Sequence, residues 1–281
     1  MWKRIFAYVT AFFLGALPMT SQAFHLPKWE YGVGLAALHL PAYRGAKGSD
    51  TTWLPFPYIT YRGDRLRIDE EGIRGKLMEK ERVRLDFSLA GNLPVGNEED
   101  SPREGMSELD PVGEVGPTLD VSLWQRGHRH VNGEVELWLR TPLRAVLSVG
   151  EPLLAHRGWV FSPSLDLVYR VGKERSLNRW SFSIGPLYGT EHYHDYFYEV
   201  KKSDVVIGRD EFHPSGGYSG ARATLTLTMN MDKWFIGAFI RKDNLRGAAF
   251  EASPLVETNS YLAMGLAVSR IFGASTEMAP H

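Results

Sequence analysis

His213 and Ser215 stand two residues apart in "FHPSGG" (212–217), just ahead of an alternating, strand-like run. A histidine base beside a serine nucleophile is the minimum that acyl transfer to a hydroxyl requires. On the odd-numbered face shared with Ala221, Ala223 and Leu225, the pair would point towards lipid, as in acyl hydrolases of the bacterial outer membrane. No asparagine or aspartate stands by to orient the imidazole, and Pro214 with Gly216 and Gly217 disturbs the parity. A loop-to-strand junction is the plainer reading, and the chain is expected not to be an enzyme.

A second constellation is "TEHYHDYF" (190–197), with Glu191, His192, His194 and Asp195, and His213 further on. Imidazoles and carboxylates can hold zinc or copper. Nothing here fixes three ligands at a metal-binding spacing, so a polar loop is expected, with no metal and no cofactor.

The third constellation is charge on one face of alternating segments. Arg65, Arg67, Arg74, Lys76 and Arg84 come from three successive segments, and Asp120, Glu134, Glu136 and Asp166 from the next ones. If that face lines a lumen, the residues form either a plug of ion pairs or the transverse field of a narrow pore. Charges removed from water must be paired or hydrated. A mostly closed, charge-laced interior is the expectation, with a narrow channel as the alternative.

The elements that position these residues are strands. In "VRLDFSLAG", Val83, Leu85, Phe87 and Leu89 face one way, against Arg84, Asp86 and Ser88 on the other. "VNGEVELWLR" sets Val131, Val135, Leu137 and Leu139 against Asn132, Glu134, Glu136 and Arg140. Such alternation predicts strands over 29–38, 53–62, 65–69, 72–78, 82–91, 114–124, 130–140, 157–170, 177–188, 218–229, 233–242 and 259–272. Short turns alternate with long loops at 39–52, 92–113, 142–156, 189–217 and 244–257. An even number of strands with short turns on one side and long loops on the other predicts an all-β chain. Its fold is a transmembrane antiparallel up-and-down β-barrel of about 12 strands.

Aromatic residues sort to the strand ends. Trp29, Tyr31, Tyr61, Tyr169, Trp180, Trp234 and Phe272 lie towards the short turns, and Trp53, Trp159, Phe161, Tyr188 and Tyr261 towards the long loops. Two girdles are what membrane interfaces select. Within "WLPFPYITYRGDRLRID" (53–69), Pro55 and Pro57 predict an irregular start to the second strand, and Gly63-Asp64 a tight hairpin.

Composition narrows the compartment. A basic start, the apolar run "IFAYVTAFFLGAL" (5–17) and a small-x-small close at Ser21-Gln22-Ala23 predict a cleaved signal peptide over 1–23. Without Lys3 and Arg4, 30 basic residues face 33 acidic ones, net −3, which gives nucleic acid no basic face. There is no cysteine, so neither disulfides nor thiol chemistry enter. The expected organisation is signal peptide 1–23, barrel 24–272 and a flexible tail 273–281, in the outer membrane of a Gram-negative cell. Outer-membrane lipid and lipopolysaccharide are the expected surroundings.

The stretch "PAYRGAKGSDTTWLPFPYITYRGDRLRIDEEGIRGKL" (41–77) resembles the MipA/OmpV family. "GPTLDVSL" (116–123), "YHDYFYEV" (193–200), "ASPLVETNSY" (252–261) and "GLAVSRIF" (265–272) follow in the family's order. The resemblance implies a non-enzymatic outer-membrane barrel. It also implies scaffolding of peptidoglycan enzymes, a lytic murein transglycosylase and a bifunctional penicillin-binding protein. Other members are described as porin-like or adhesive, and the family carries no catalytic motif. The chain departs from the usual barrel ending, because "GASTEMAPH" (273–281) follows Phe272.

Overall fold

The computed structural model describes residues 26–69, 71–92, 101–128, 133–150, 152–173, 176–231 and 233–279. The signal-peptide expectation at 1–23 lies outside the described residues. The strands are β1 (Trp29–Pro41), β2 (Ser49–Arg62), β3 (Leu66–Asp69), β4 (Gly72–Lys80), β5 (Val83–Asn92), β6 (Val112–His128) and β7 (Gly133–Ser148). They continue as β8 (Ala155–Phe161), β9 (Ser164–Lys173), β10 (Ser176–Gly189), β11 (Gly217–Met231), β12 (Trp234–Asn244) and β13 (Ser260–Ala274). β8 and β9 are halves of one strand broken at Ser162-Pro163, and both pair with β7 and β10. The ring therefore has twelve antiparallel strands and closes where β13 pairs with β1. Closure matters because in a bilayer every backbone donor and acceptor must find its partner within the protein. Among the described residues no helix is long and apolar enough to cross a membrane.

Alternation fixes the two faces. Val33, Leu35, Phe87, Leu89, Leu165, Leu167, Phe182, Ile184, Leu266 and Val268 are exposed on the outside. Asp86, Ser88, Thr118, Asp120, Glu134, Glu136, Asp166 and Ser269 are buried on the inside. An apolar exterior around a polar interior inverts a soluble protein and matches a membrane barrel. Trp29, Tyr31, Trp180, Trp234 and Phe272 ring the short-turn end, and Trp53, Trp159, Phe161 and Tyr188 the other. Tyr261 corrects the sequence expectation: it is 7% exposed and points inward, because its parity matches buried Ala263 and Ser269.

The prolines receive a different explanation from the irregular start expected of them. β2 pairs with β1 from Trp29↔Tyr61 to Pro41↔Ser49 without a register break. The Arg62 N–H bonds the Lys28 carbonyl (2.7 Å) and the Gly63 N–H bonds the Leu66 carbonyl (3.0 Å). Even-numbered donors of β2 therefore face β1, and odd-numbered ones face the opposite edge. On that edge β3 pairs only with Tyr61 and Arg62. Pro55 and Pro57 place their missing N–H groups on an edge that has no ladder partner among the described residues, where proline costs no ladder bond.

The third and fourth strands are real but short, joined by a turn carrying Glu71. Residues 275–279 are not a free tail. The Ser275 N–H bonds the Trp29 carbonyl (2.9 Å), the Lys28 N–H that of Glu277 (2.9 Å) and the Ala279 N–H that of Leu26 (2.8 Å). Lys28 Nζ adds an ion pair to Glu277 at 2.8 Å. A second small ladder thus joins the two ends of the described chain at the short-turn rim.

Candidate functional site: a capped lumen crossed by ion pairs

Glu71 is the hub of the lumen. Its carboxylate meets Arg74 at 2.6 Å, Arg170 and Arg179 each at 3.2 Å and Arg140 at 3.4 Å. These arginines come from β4, β7, β9 and β10, so one turn residue ties strands on opposite sides of the barrel. Around the hub, Asp69 accepts from Arg74 (2.7 Å) and Asp120 from Arg140 Nε (3.1 Å). Asp166 accepts from the hydroxyls of Ser164 (2.8 Å) and Ser183 (2.6 Å), and Glu136 pairs with Arg170.

The sequence-predicted lumen residues divide as follows. Arg74, Asp120, Glu136 and Asp166 belong to the network just described. Glu134 accepts from Gln125 Nε2 at 2.7 Å, and the Arg84 guanidinium stacks 4.0 Å over the inward-facing Trp138 ring. Arg67, Lys76 and Arg84 line a small recess with Glu79 and Asp86, with Lys76 paired to Glu79. Arg65 is corrected: it is exposed in the β2–β3 turn and only its carbonyl, bonded by the Lys76 N–H (2.7 Å), enters the wall. Glu71, Arg140, Arg144, Arg170 and Arg179 are absent from the predicted set. Strand parity flags the four arginines, whereas a turn residue such as Glu71 has no parity to follow.

On the β7–β11 side the lumen keeps a cavity of about 320 Å³. Arg140, Arg144, Arg179 and Arg222 line it, against Glu71 and Asp166 and a row of serines and threonines. The other side differs in chemistry. Gly34, Ala36 and Leu38 of β1, Leu54, Phe56 and Tyr58 of β2, Phe235 and Phe239 of β12 and Ala263 and Gly265 of β13 face inward there. Phe56 lies over Gly34, Phe239 and Leu38 over Gly265, and the rings of Tyr58 and Phe235 are 5.1 Å apart. A Cβ at Gly34 would come 2.5 Å from Phe56, so the glycine is what lets the ring lie flat on the wall.

The long loops form a cap with its own apolar core. Tyr43, Met106, Leu109, Phe197, Tyr198, Val200, Leu245, Phe250 and Leu255 are buried together. Helix α1 (Glu191–Tyr198) supplies Phe197 and Tyr198, and Phe250 stacks on Tyr198 at 3.7 Å. Loop ties are polar: Arg103 donates to the Phe197 carbonyl (3.2 Å) and Arg209 to those of Pro102 (2.9 Å) and Glu104 (2.8 Å). Beneath the core, Asp243 is 0% exposed and paired with Arg44 (3.3 Å), Arg222 (3.1 Å) and Arg241 (3.0 Å).

This cap absorbs the histidines. His194 Nδ1 donates to the Ser215 carbonyl (2.7 Å), so Nε2 is left to accept from the Ser219 hydroxyl (2.6 Å). Both ring nitrogens are engaged, and among the described residues no group of three potential ligands could hold a metal. His213 and Ser215 precede β11 and form no dyad, because the two His213 nitrogens face Glu199 and Glu211, each at 3.1 Å.

Burial holds the His194 imidazole below its usual range, and nearby Arg44 reinforces the shift. An opened cap would take up a proton near pH 6.5 that the closed cap refuses. The closed cap therefore loses stability as pH falls through that value. Hydrogen bonding to Glu211 and Glu199 raises exposed His213, which acts with the opposite sign. Cap amides of a His213→Ala variant are expected to exchange faster with solvent at pH 5.5 than at pH 7.5, after correction for intrinsic rates. Replacing His194 by glutamine in that background should flatten the difference. An unchanged pH profile would remove His194 as the cause.

The family described as "MltA-interacting protein MipA" matches residues 33–272. The chain belongs to the MipA family. The match runs from early β1 to the end of the apolar part of β13, so it covers the wall, the hub and the cap together. No curated protein matches the chain significantly.

Proposed function

We propose that this MipA-family barrel sits in the outer membrane, among lipid and lipopolysaccharide, and serves as a non-enzymatic docking platform. Its partner is a murein transglycosylase, with a penicillin-binding protein as a further member of the assembly. The observation that carries this reading is the closed bore: a cap with its own core at one mouth and the Glu71 network across the lumen. A barrel built this way offers surfaces rather than a path. The family's description names an interaction with MltA, and the rim of short turns is the side that would meet the periplasm.

That rim consists of tight turns and the ladder between residues 26–29 and 275–279. A stable interface needs roughly 800 Å² from each partner, more than isolated turns provide. The ladder is the added element, and Met278 is exposed on it. Capture of periplasmic murein enzymes by full-length protein and by protein ending at Ala274 tests the proposal. Full-length protein should retain a transglycosylase, and truncation should reduce capture several-fold while the barrel still assembles. Equal capture would place the contact elsewhere, and no capture by full-length protein would end the docking reading.

A further inference from the structure

The outer face of β12 changes character along its length. Ile236, Ala238 and Ile240 are turned to lipid, and the next outward positions are Lys242 and Asn244, both exposed. Other strands reach the long-loop end of the outer face with Trp53, Trp159 and Tyr188. Lys242 stands eight residues beyond Trp234 of the turn-side girdle, roughly 27 Å of strand. At a strand tilt of about 40° that is roughly 21 Å of height, against an apolar band of about 25 Å. Lys242 therefore sits at the external edge of the band, where a side chain of its length reaches the headgroups.

No carboxylate neutralises it. Among the described residues Lys242 makes no ion pair, and neither does the exposed Arg246 that follows. Only the Arg246 N–H is engaged, donating to the Asn244 side-chain oxygen (3.2 Å). On the inner side of the same wall, Arg44, Arg222 and Arg241 share one carboxylate, Asp243. Three cations on one anion leave excess positive charge behind Lys242, and its field acts through a wall one sheet thick. The lipid-facing surface around and below Lys242 is apolar. Leu262 of β13 is directly opposite it, Met264 is opposite Ile240 and Leu266 opposite Ala238. Ile240, Leu262, Met264 and Leu266 are all exposed. A cationic rim over an apolar slab suits a negatively charged amphiphile. A second copy packed here about a two-fold axis would set the two cationic rims against each other, which argues against self-association.

We propose that the outer face of β12 and β13 holds one lipid A molecule of the external leaflet. A phosphate of its headgroup meets Lys242 and Arg246, and an acyl chain runs along Ile240, Leu262, Met264 and Leu266. Asn244 and Ser260, paired across the two strands and exposed, flank the headgroup with hydrogen-bonding groups. This site rests on the outer-membrane placement proposed above and is independent of any partner at the turn-side rim.

The test titrates the folded, heat-modifiable barrel in neutral detergent with bisphosphorylated lipid A and counts bound lipid by native mass spectrometry. The same lipid A stripped of phosphate by a phosphatase, and the anionic phospholipid phosphatidylglycerol, serve as comparison ligands. One bisphosphorylated lipid A should bind per barrel, more tightly than either comparison ligand. The double variant Lys242→Gln, Arg246→Gln should weaken that binding about 30-fold, the effect of two basic residues at an anionic lipid surface. It should leave the stripped lipid unaffected. Lys201→Gln with Lys202→Gln, exposed in another loop, should change nothing. Equal affinity for lipid A with and without phosphate, equal affinity for phosphatidylglycerol, or no loss in the double variant would each overturn the proposal. A lipid-free dimer broken by the double variant would overturn it in favour of a second copy. Fractionation of cells tests the placement separately. A barrel absent from the outer membrane would end that reading, whereas a barrel found there without phosphate-dependent binding would end only this one.

Discussion

Replacing Glu71 by glutamine should destabilise the folded barrel by about 3–5 kcal/mol, the range seen when one partner of a buried ion pair is removed. The loss is uneven across its four partners. Arg74 keeps Asp69, Arg140 keeps Asp120 and Asp166, and Arg170 keeps Glu136. Arg179 is 7% exposed and keeps, among the described residues, only a 3.5 Å contact to the Ser181 hydroxyl. Most of the cost therefore falls on one stranded guanidinium. Arg179→Gln alone should cost less, because Glu71 retains three arginines. The double variant should be no less stable than Glu71→Gln, since both halves of the broken pair are then neutral. Urea midpoints of the compact, heat-modifiable band measure all three. A shift within about 0.5 kcal/mol for Glu71→Gln, typical of surface positions, would show that the hub contributes little.

The Glu71 hub also shows what a sequence can and cannot disclose here. Strand parity is a local rule, so it carries the wall: Arg74, Asp120, Glu136 and Asp166 fall on the inner face as alternation requires. Even the short β3 and β4 are legible, because "LRID" and "GIRGKLMEK" alternate on either side of a turn. Parity ends where strands end. Glu71 acts from a turn, Arg65 leaves the wall by one residue, and His194 enters a helix whose burial depends on loops distant in sequence. Pro55 and Pro57 are locally a contradiction and become sensible only once pairing shows that their edge has no ladder partner among the described residues. Tyr261 fits a girdle by its position along the strand and fails by its face. What escapes sequence reading is contact between distant segments, and in this molecule such contacts build the cap and the hub.

The cap is separable from the wall, and Phe250 is the position at which to separate them. Its ring is 0% exposed, lies 3.7 Å and nearly parallel to Tyr198, and meets the His194 ring at 4.9 Å. Phe250→Ala removes that stack and leaves a cavity beneath α1, a change that costs about 3–5 kcal/mol in a packed core. Residues 245–259 lie between β12 and β13 and reach the strands through two backbone bonds, Leu245 N–H to the Asn259 carbonyl (2.8 Å) and Ala249 N–H to the Tyr218 carbonyl (2.8 Å), so the cost should fall on the loops and leave the wall intact. A cap core of this size has little stability to spare against such a loss. The expected result is fast proteolysis within 190–216 and 245–259 while the strands keep their hydrogen-exchange protection and the band stays heat-modifiable. In planar bilayers the parent should be silent. The variant, with its external mouth uncovered and the Glu71 network still across the lumen, should stay silent too. Discrete conductance appearing in Phe250→Ala would mean that the cap alone closes the bore, and that the ion pairs line a path rather than block one.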